Sequence, residues 1–195
     1  MRKFIFAISA LSVLVCTAAW ADYLPPPQHY TIVNVNGDGT QTIYRDGSRA
    51  LIDRVMPKNK YRTKAIHWRT LVKTTIGQSL TWDLQDKSMQ CDSPTTSSDW
   101  GDPFNYWNQS VQSAPGKMTQ TGKATVNGMK TTVFEVASDQ GTAKMWREDR
   151  YGLLVRFEMT PKGHDKVTLI NITRFKIGRP NLSVFALPKR CSWGK

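Results

Sequence analysis

The chain has 195 residues, 27 Lys and Arg against 15 Asp and Glu, a net charge of +12, and 39% hydrophobic residues. That length suits one ordinary domain with a sizeable core, and nothing in it reads as a heptad repeat or a low-complexity tract. Three histidines and three cysteines, with no C-x-x-C and no H-E-x-x-H, exclude the usual dithiol and zinc motifs.

The chain begins with Arg2 and Lys3, then an apolar run from Phe4 to Val15 broken only by Ser9 and Ser12, then Ala19-Trp20-Ala21. A basic start, an apolar centre and an A-x-A exit form the layout of a secretory signal, cleaved after Ala21. The apolar run is too short for a bilayer core that needs roughly 20 residues. An N-terminal membrane anchor is the competing reading. Lipid attachment at Cys16 is disfavoured because Val15 stands where a lipobox wants a small residue. The expectation is a periplasmic protein that does not span the membrane.

Cleavage leaves 174 residues that retain 25 Lys and Arg against 15 acids, a net charge of +10. It also leaves two cysteines, Cys91 and Cys191. In an oxidising compartment a lone pair most simply forms a disulfide; two buried thiols are the alternative. The positive charge is uneven. No acid lies between Asp53 and Asp83, where Arg54, Lys58, Lys60, Arg62, Lys64, Arg69 and Lys73 all occur. None follows Asp165, where Lys166, Arg174, Lys176, Arg179, Lys189, Arg190 and Lys195 do. Such stretches attract anionic partners. For an exported protein these are phospholipid or lipopolysaccharide head groups or acidic polymers rather than nucleic acid, unless the charge serves only solubility.

Residues 22–29, with Pro25-Pro26-Pro27, read as an extended leader with no packed element. Tyr30 to Val35 is β-branched, Asn36-Gly37-Asp38-Gly39 is a turn, and Thr40 to Arg45 returns as a second strand. Asp46-Gly47 turns into a third strand, Ser48 to Val55, followed by a polar loop over 56–61. Strands are expected at Lys64 to Val72 and Ser79 to Leu84, with a short one ending at Cys91 and a loop over 92–98. Asp102-Pro103 is a helix start, a capping acid before a proline, and Phe104, Trp107 and Val111 share one face of a helix over 103–112.

The second half alternates strands and tight turns. Lys123 to Val126, Asn127-Gly128 and Met129 to Ala137 form a hairpin, followed by strands at Thr142 to Arg147, Leu153 to Thr160 and Lys166 to Phe175. Strict alternation puts Leu153, Val155, Phe157 and Met159 on one face, joined by Phe134 and Val136 from the hairpin. The pattern describes an antiparallel meander of about eight or more strands.

The order of several motifs is similar to the LolA/LolB-like superfamily of periplasmic proteins. They are Ile43-Tyr44-Arg45-Asp46-Gly47-Ser48-Arg49, Val126-Asn127-Gly128, Thr132 to Val136, Lys144-Met145-Trp146, Tyr151-Gly152-Leu153 and the closing Ser183-Val184-Phe185 with Pro188. The resemblance spans about residues 30–190. It implies a mainly β domain over 30–191, ahead of a 192–195 tail. The fold would be one curved antiparallel sheet, an unclosed half-barrel, with one or a few short helices on its concave side over an apolar cavity. The chain departs from the carriers of that group in lacking room for a helix before its first strand, and in having Leu154 where Pro often follows the Gly-Leu turn.

Catalytic chemistry finds little support. Gly77-Gln78-Ser79-Leu80-Thr81 fails the nucleophile-elbow pattern at its last position, and Glu148-Asp149, being adjacent, face opposite sides of a strand. His67 beside Trp68 reads as a packed or surface histidine. The expectation is a non-enzyme without metal or cofactor. Its function is binding of a lipid or lipoprotein acyl chain, as carrier or envelope sensor, in a cavity lined by Phe104, Trp107, Phe134, Val136, Leu153, Val155, Phe157 and Met159. The alternative is a structural or protein-interaction module of the envelope with a filled core.

Overall fold

The computed structural model describes residues 23–86, 91–92, 94–97, 100–113 and 117–193. The expected signal segment lies outside the described residues, as do positions 87–90, which hold most of the short strand expected to end at Cys91. The described strands are β1 (His29–Asn36), β2 (Gly39–Asp46), β3 (Arg49–Met56), β4 (Ile66–Lys73), β5 (Gln78–Asp83) and β6 (Thr95–Thr96), then β7 (Met118–Val126), β8 (Met129–Ser138), β9 (Gly141–Glu148), β10 (Leu154–Pro161) and β11 (Val167–Ile177). A 3-10 turn at Pro103–Asn105 leads into α1 (Tyr106–Ser113), the one α-helix among the described residues.

All eleven strands form one antiparallel sheet in the order β6-β5-β4-β3-β2-β1-β11-β10-β9-β8-β7. It is two meanders joined where β1 pairs with β11, and it is unclosed, since β6 and β7 stand at opposite edges. The tight hairpins come from the expected turn chemistry. Asn127 and Gly128 have φ of 51° and 80°, positive values that Asn tolerates and Gly adopts without penalty. Gly39 at φ 145° lets β2 pass β3 closely, because a Cβ there would collide with the Val55 carbonyl.

Several elements differ from expectation. β6 falls inside the expected 92–98 loop and pairs with Gln78 and Ser79. β7 starts at Met118, well before Lys123. β1 starts at His29, and the leader is tethered: Leu24 N–H donates to the Arg150 carbonyl at 2.9 Å, and Gly47 N–H to that of Gln28 at 2.9 Å.

Both faces of the sheet are covered, each over a different region. On β1 to β4 the row Tyr30, Arg45, Ala50 and Val72 faces the helix side. The adjacent row Tyr44, Leu51, Leu71 and Leu80 faces the other way. There it meets the C-terminal segment, whose 3-10 turn Leu182–Phe185 brings Phe185, Leu187, Cys191 and Trp193 onto Leu51, Leu71, Leu80 and Trp82. Cys91 and Cys191 form a disulfide with Cα atoms 5.4 Å apart, within the usual bridging range.

The helix side shows how strongly the sheet curls. Phe104 meets Tyr30 of β1 at 5.4 Å between ring centroids, and Trp107 meets Phe134 of β8 at 4.9 Å. β1 and β8 are four places apart in the strand order, roughly 19 Å in a flat sheet. One helical turn touches both only because the sheet wraps around it.

Candidate functional site

All but Met159 of the residues expected to line an apolar cavity fall into two packed groups. In the first, Trp107 (4% exposed) and Val136 (3%) join Met145 and Leu154 (both 0%), with Phe134 and Phe157 half-buried beside them. The register explains it: Phe134, Met145, Phe157 and Ile170 are cross-strand neighbours in a single row over β8 to β11, and α1 lies on that row. In the second, Leu153 and Val155 are fully buried with Tyr30, Ile32, Ile43 and Ile172, and Phe104 packs against them.

The alternation expected over Leu153 to Thr160 is therefore broken. A register shift between Leu154 and Arg156 places a bulge at Val155, so Leu154 shares the Phe157 group while Leu153 and Val155 belong to the other. Met159, placed on the apolar face, is 38% exposed near the end of β10. Glu158 is only 8% exposed and is ion-paired to Arg156 and Lys166. Burial pushes its carboxyl up, but hydrogen bonds from Lys166 and Arg156 outweigh this and hold it below its ordinary value.

The entrance to the helix is built from polar contacts with the first meander. Asp102 caps it by accepting from Phe104 N–H at 3.0 Å; it also accepts from the Tyr30 hydroxyl at 3.4 Å and lies 3.8 Å from the Arg45 guanidinium. Burial first, and then the Asp102 charge, raise the Tyr30 hydroxyl far above its ordinary value, so it stays a neutral donor. Arg45 also stacks over Trp100 at 5.3 Å.

Arg147 is the residue that sequence reasoning passed over. Its guanidinium lies between two rings, 3.8 Å from the Tyr23 centroid and 4.4 Å from that of Trp107, and its Nε donates to the Gly152 carbonyl at 3.2 Å. Burial lowers its pKa. One side chain thus fastens the leader, the helix and the β9–β10 turn. The strand ending Trp146-Arg147 could have suggested an inward cation, but its partners Tyr23 and Trp107 are 124 and 40 positions away.

The clefts are mixed in character, and one is lined mainly by Leu71, Val72, Phe185, Leu187 and Trp193, beside Arg49 and Lys73. Another, of about 500 Å³, carries Lys117, Lys144, Lys166, Glu135 and Glu158 with four threonines and two alanines beside them; of the expected cavity residues it touches only Val136. His67 Nε2 donates to Asp53 Oδ1 at 2.7 Å, and the other oxygen of that carboxylate accepts from Arg69 Nε at 2.8 Å, so the imidazole is held on the sheet surface by a carboxylate it shares with Arg69. Among the described residues no group of three or more His, Cys, Asp or Glu is placed to hold a metal ion, and no helix is long and apolar enough to cross a membrane.

No protein-family profile matches the chain. No curated protein sequence matches it either. Among solved structures it is similar to an uncharacterized conserved protein from Thermus thermophilus, with a TM-score of 0.52 and 7% identity over 84% of this chain and 87% of that one. It also aligns to MucB in complex with MucA(peri), at a TM-score of 0.40 and 16% identity over 84% of this chain and 55% of that one. The Pseudomonas aeruginosa MucA/MucB complex gives 0.41 and 12% over 84% and 57%. The chain spans a little over half the length of those MucB chains. At these identities the likeness to the Thermus protein is one of fold.

Proposed function

We propose that this protein is an exported, non-enzymatic module of the cell envelope, built on the LolA/LolB-like plan, that works by binding through its surface. The observation that carries this reading is the seating of Trp107. The indole is buried against Phe134 and stacked under Arg147, in the space where an acyl chain would lie. Binding a chain there requires expelling an aromatic side chain and breaking both contacts, which costs several kcal/mol before any gain from the ligand. The three-part pattern of residues 1–21 and the Cys91–Cys191 bridge support export.

Native mass spectrometry of protein purified from its own host tests both parts. The expected mass is that of a chain starting at Asp22, with one disulfide and no bound lipid. A retained N-terminal segment would overturn export, and a stoichiometric co-purifying lipid would restore the carrier reading.

A further inference from the structure

The loop between β3 and β4, residues 57–65, carries Lys58, Lys60, Arg62 and Lys64 and no acid. At its tip Tyr61 is 85% exposed, with the Lys60 ammonium 4.7 Å above its ring. The tip is nevertheless ordered from within. Asn59 Oδ1 accepts from the N–H groups of Tyr61 (2.9 Å) and Arg62 (2.8 Å), Asn59 N–H donates to the Arg62 carbonyl at 2.9 Å, and Arg62 Nη1 donates to that of Pro57 at 2.9 Å. A cationic, aromatic tip that is already folded loses little entropy on docking.

The loop does not stand alone. Pairing of Asn36 with Gly39, Met56 with Ile66 and Met159 with Val167 puts the β1–β2, β3–β4 and β10–β11 connections at the same end of the sheet. Asn36 Nδ2 joins the two meanders there by donating to the Leu169 carbonyl at 3.1 Å. This end gathers seven of the eleven exposed large hydrophobic side chains among the described residues. Val35, Val55, Tyr61 and Trp68 lie on the first meander, and Met159, Val167 and Leu169 on the second. Lys162 and Lys166, the latter ion-paired to Glu158, add to the basic side chains, against Asp38, Asp83, Asp86, Asp139 and Asp165 at the same end.

We propose that this end of the sheet docks onto a bilayer rich in anionic phospholipid, with Tyr61 and the neighbouring aliphatic side chains at head-group depth and the lysines on the phosphates. Both halves of the pattern fit this occupant. Cations near an anionic leaflet are attracted over a Debye length, and an amphipathic aromatic belongs at the interface. An acidic polymer would use the cations but leave the apolar side chains unrewarded. The inference deepens the envelope-surface reading and rests on it for access to such a membrane.

Co-sedimentation of the mature protein with vesicles tests it, independently of export and of lipid in the core. Vesicles of equal parts phosphatidylglycerol and phosphatidylcholine should bind the protein, pure phosphatidylcholine should not, and raising salt from about 0.05 to about 0.5 M should weaken binding. The variant K58E/K60E/K64E should lower partitioning at least about tenfold, and Y61S several-fold with the salt dependence retained. The variant K130E/R150E, at the opposite end, should behave as the unmodified protein, and thermal unfolding should show all three variants folded. No binding to anionic vesicles overturns the proposal. An equal loss in K130E/R150E overturns it in favour of diffuse charge. Binding to polyglutamate as strong as to vesicles, with Y61S without effect, overturns it in favour of an acidic protein partner.

Discussion

Trp107 stands edge-on to Phe134, ring centroids 4.9 Å apart and planes inclined at 62°, and this pair closes the inner side of the second meander. The two residues come from α1 and β8, so the contact holds the helix to the sheet. Trp107→Ala should destabilise the protein by about 3–5 kcal/mol, the range for deleting a buried aromatic side chain. Urea unfolding followed by circular dichroism would measure it. A loss below about 1 kcal/mol would mean that the helix is not seated as described.

Arg147 joins that helix to the leader through its two faces. Arg147→Lys keeps the charge but not the flat stacking surface, so it should cost about 1–2 kcal/mol. The leader should loosen as well. Limited proteolysis would detect this as faster cleavage in residues 23–28 of the variant, with the remaining domain intact.

The Cys91–Cys191 bridge spans 100 residues of sequence and ties the C-terminal cover to the edge of the first meander. Constraining an unfolded loop of that length is worth about 4–5 kcal/mol in the chain-entropy account. Cys191→Ser, or reduction under native conditions, should lower stability by a few kcal/mol in denaturant titrations. It should also release Trp193 from Lys73, 4.3 Å from the ring, giving a change in tryptophan emission.

Much of this molecule is written locally. Asn127-Gly128 and Asp102-Pro103 announce a hairpin and a helix start, because each depends on the φ preference or capping oxygen of the residues themselves. The disulfide is legible because Cys91 and Cys191 are the only two cysteines after residue 21. What stays hidden depends on distant partners. The bulge at Val155 is visible only in the offset of β10 against Trp146 and Arg147, and it moves Leu153 and Val155 of the candidate cavity into another packing group. The pairing of β1 with β11 and the burial of Leu51 and Leu71 under the C-terminal segment join chain ends that no periodicity links. Arg147 reads as one surface cation among many until Tyr23 and Trp107 are found on either side of it.

Asp46 gathers three basic groups: Arg49 at 2.8 Å, His29 at 2.9 Å and Arg179 at 3.2 Å. The Arg49 hydrogen bond first, with Arg179 and His29, holds its carboxyl below the ordinary value against the opposing effect of burial. A depressed carboxylate pKa stabilises the fold above the unfolded value of about 3.9, and that contribution disappears as pH falls through the lower folded value. Asp46→Asn should therefore reduce stability at pH 7 and flatten the acid limb of the stability curve. Glu158 acts in the same direction. Thermal unfolding from pH 7 to pH 2 would show whether the variant and the unmodified protein converge at the acid end.

The central claim is that the space under α1 is filled by protein, and a fluorescent fatty acid titration tests it most directly. The unmodified protein should show no saturable binding at micromolar concentration, while Trp107→Ala, if it remains folded, should acquire a site. Stoichiometric, saturable binding by the unmodified protein, abolished by Phe157→Asp with the fold intact, would contradict the account.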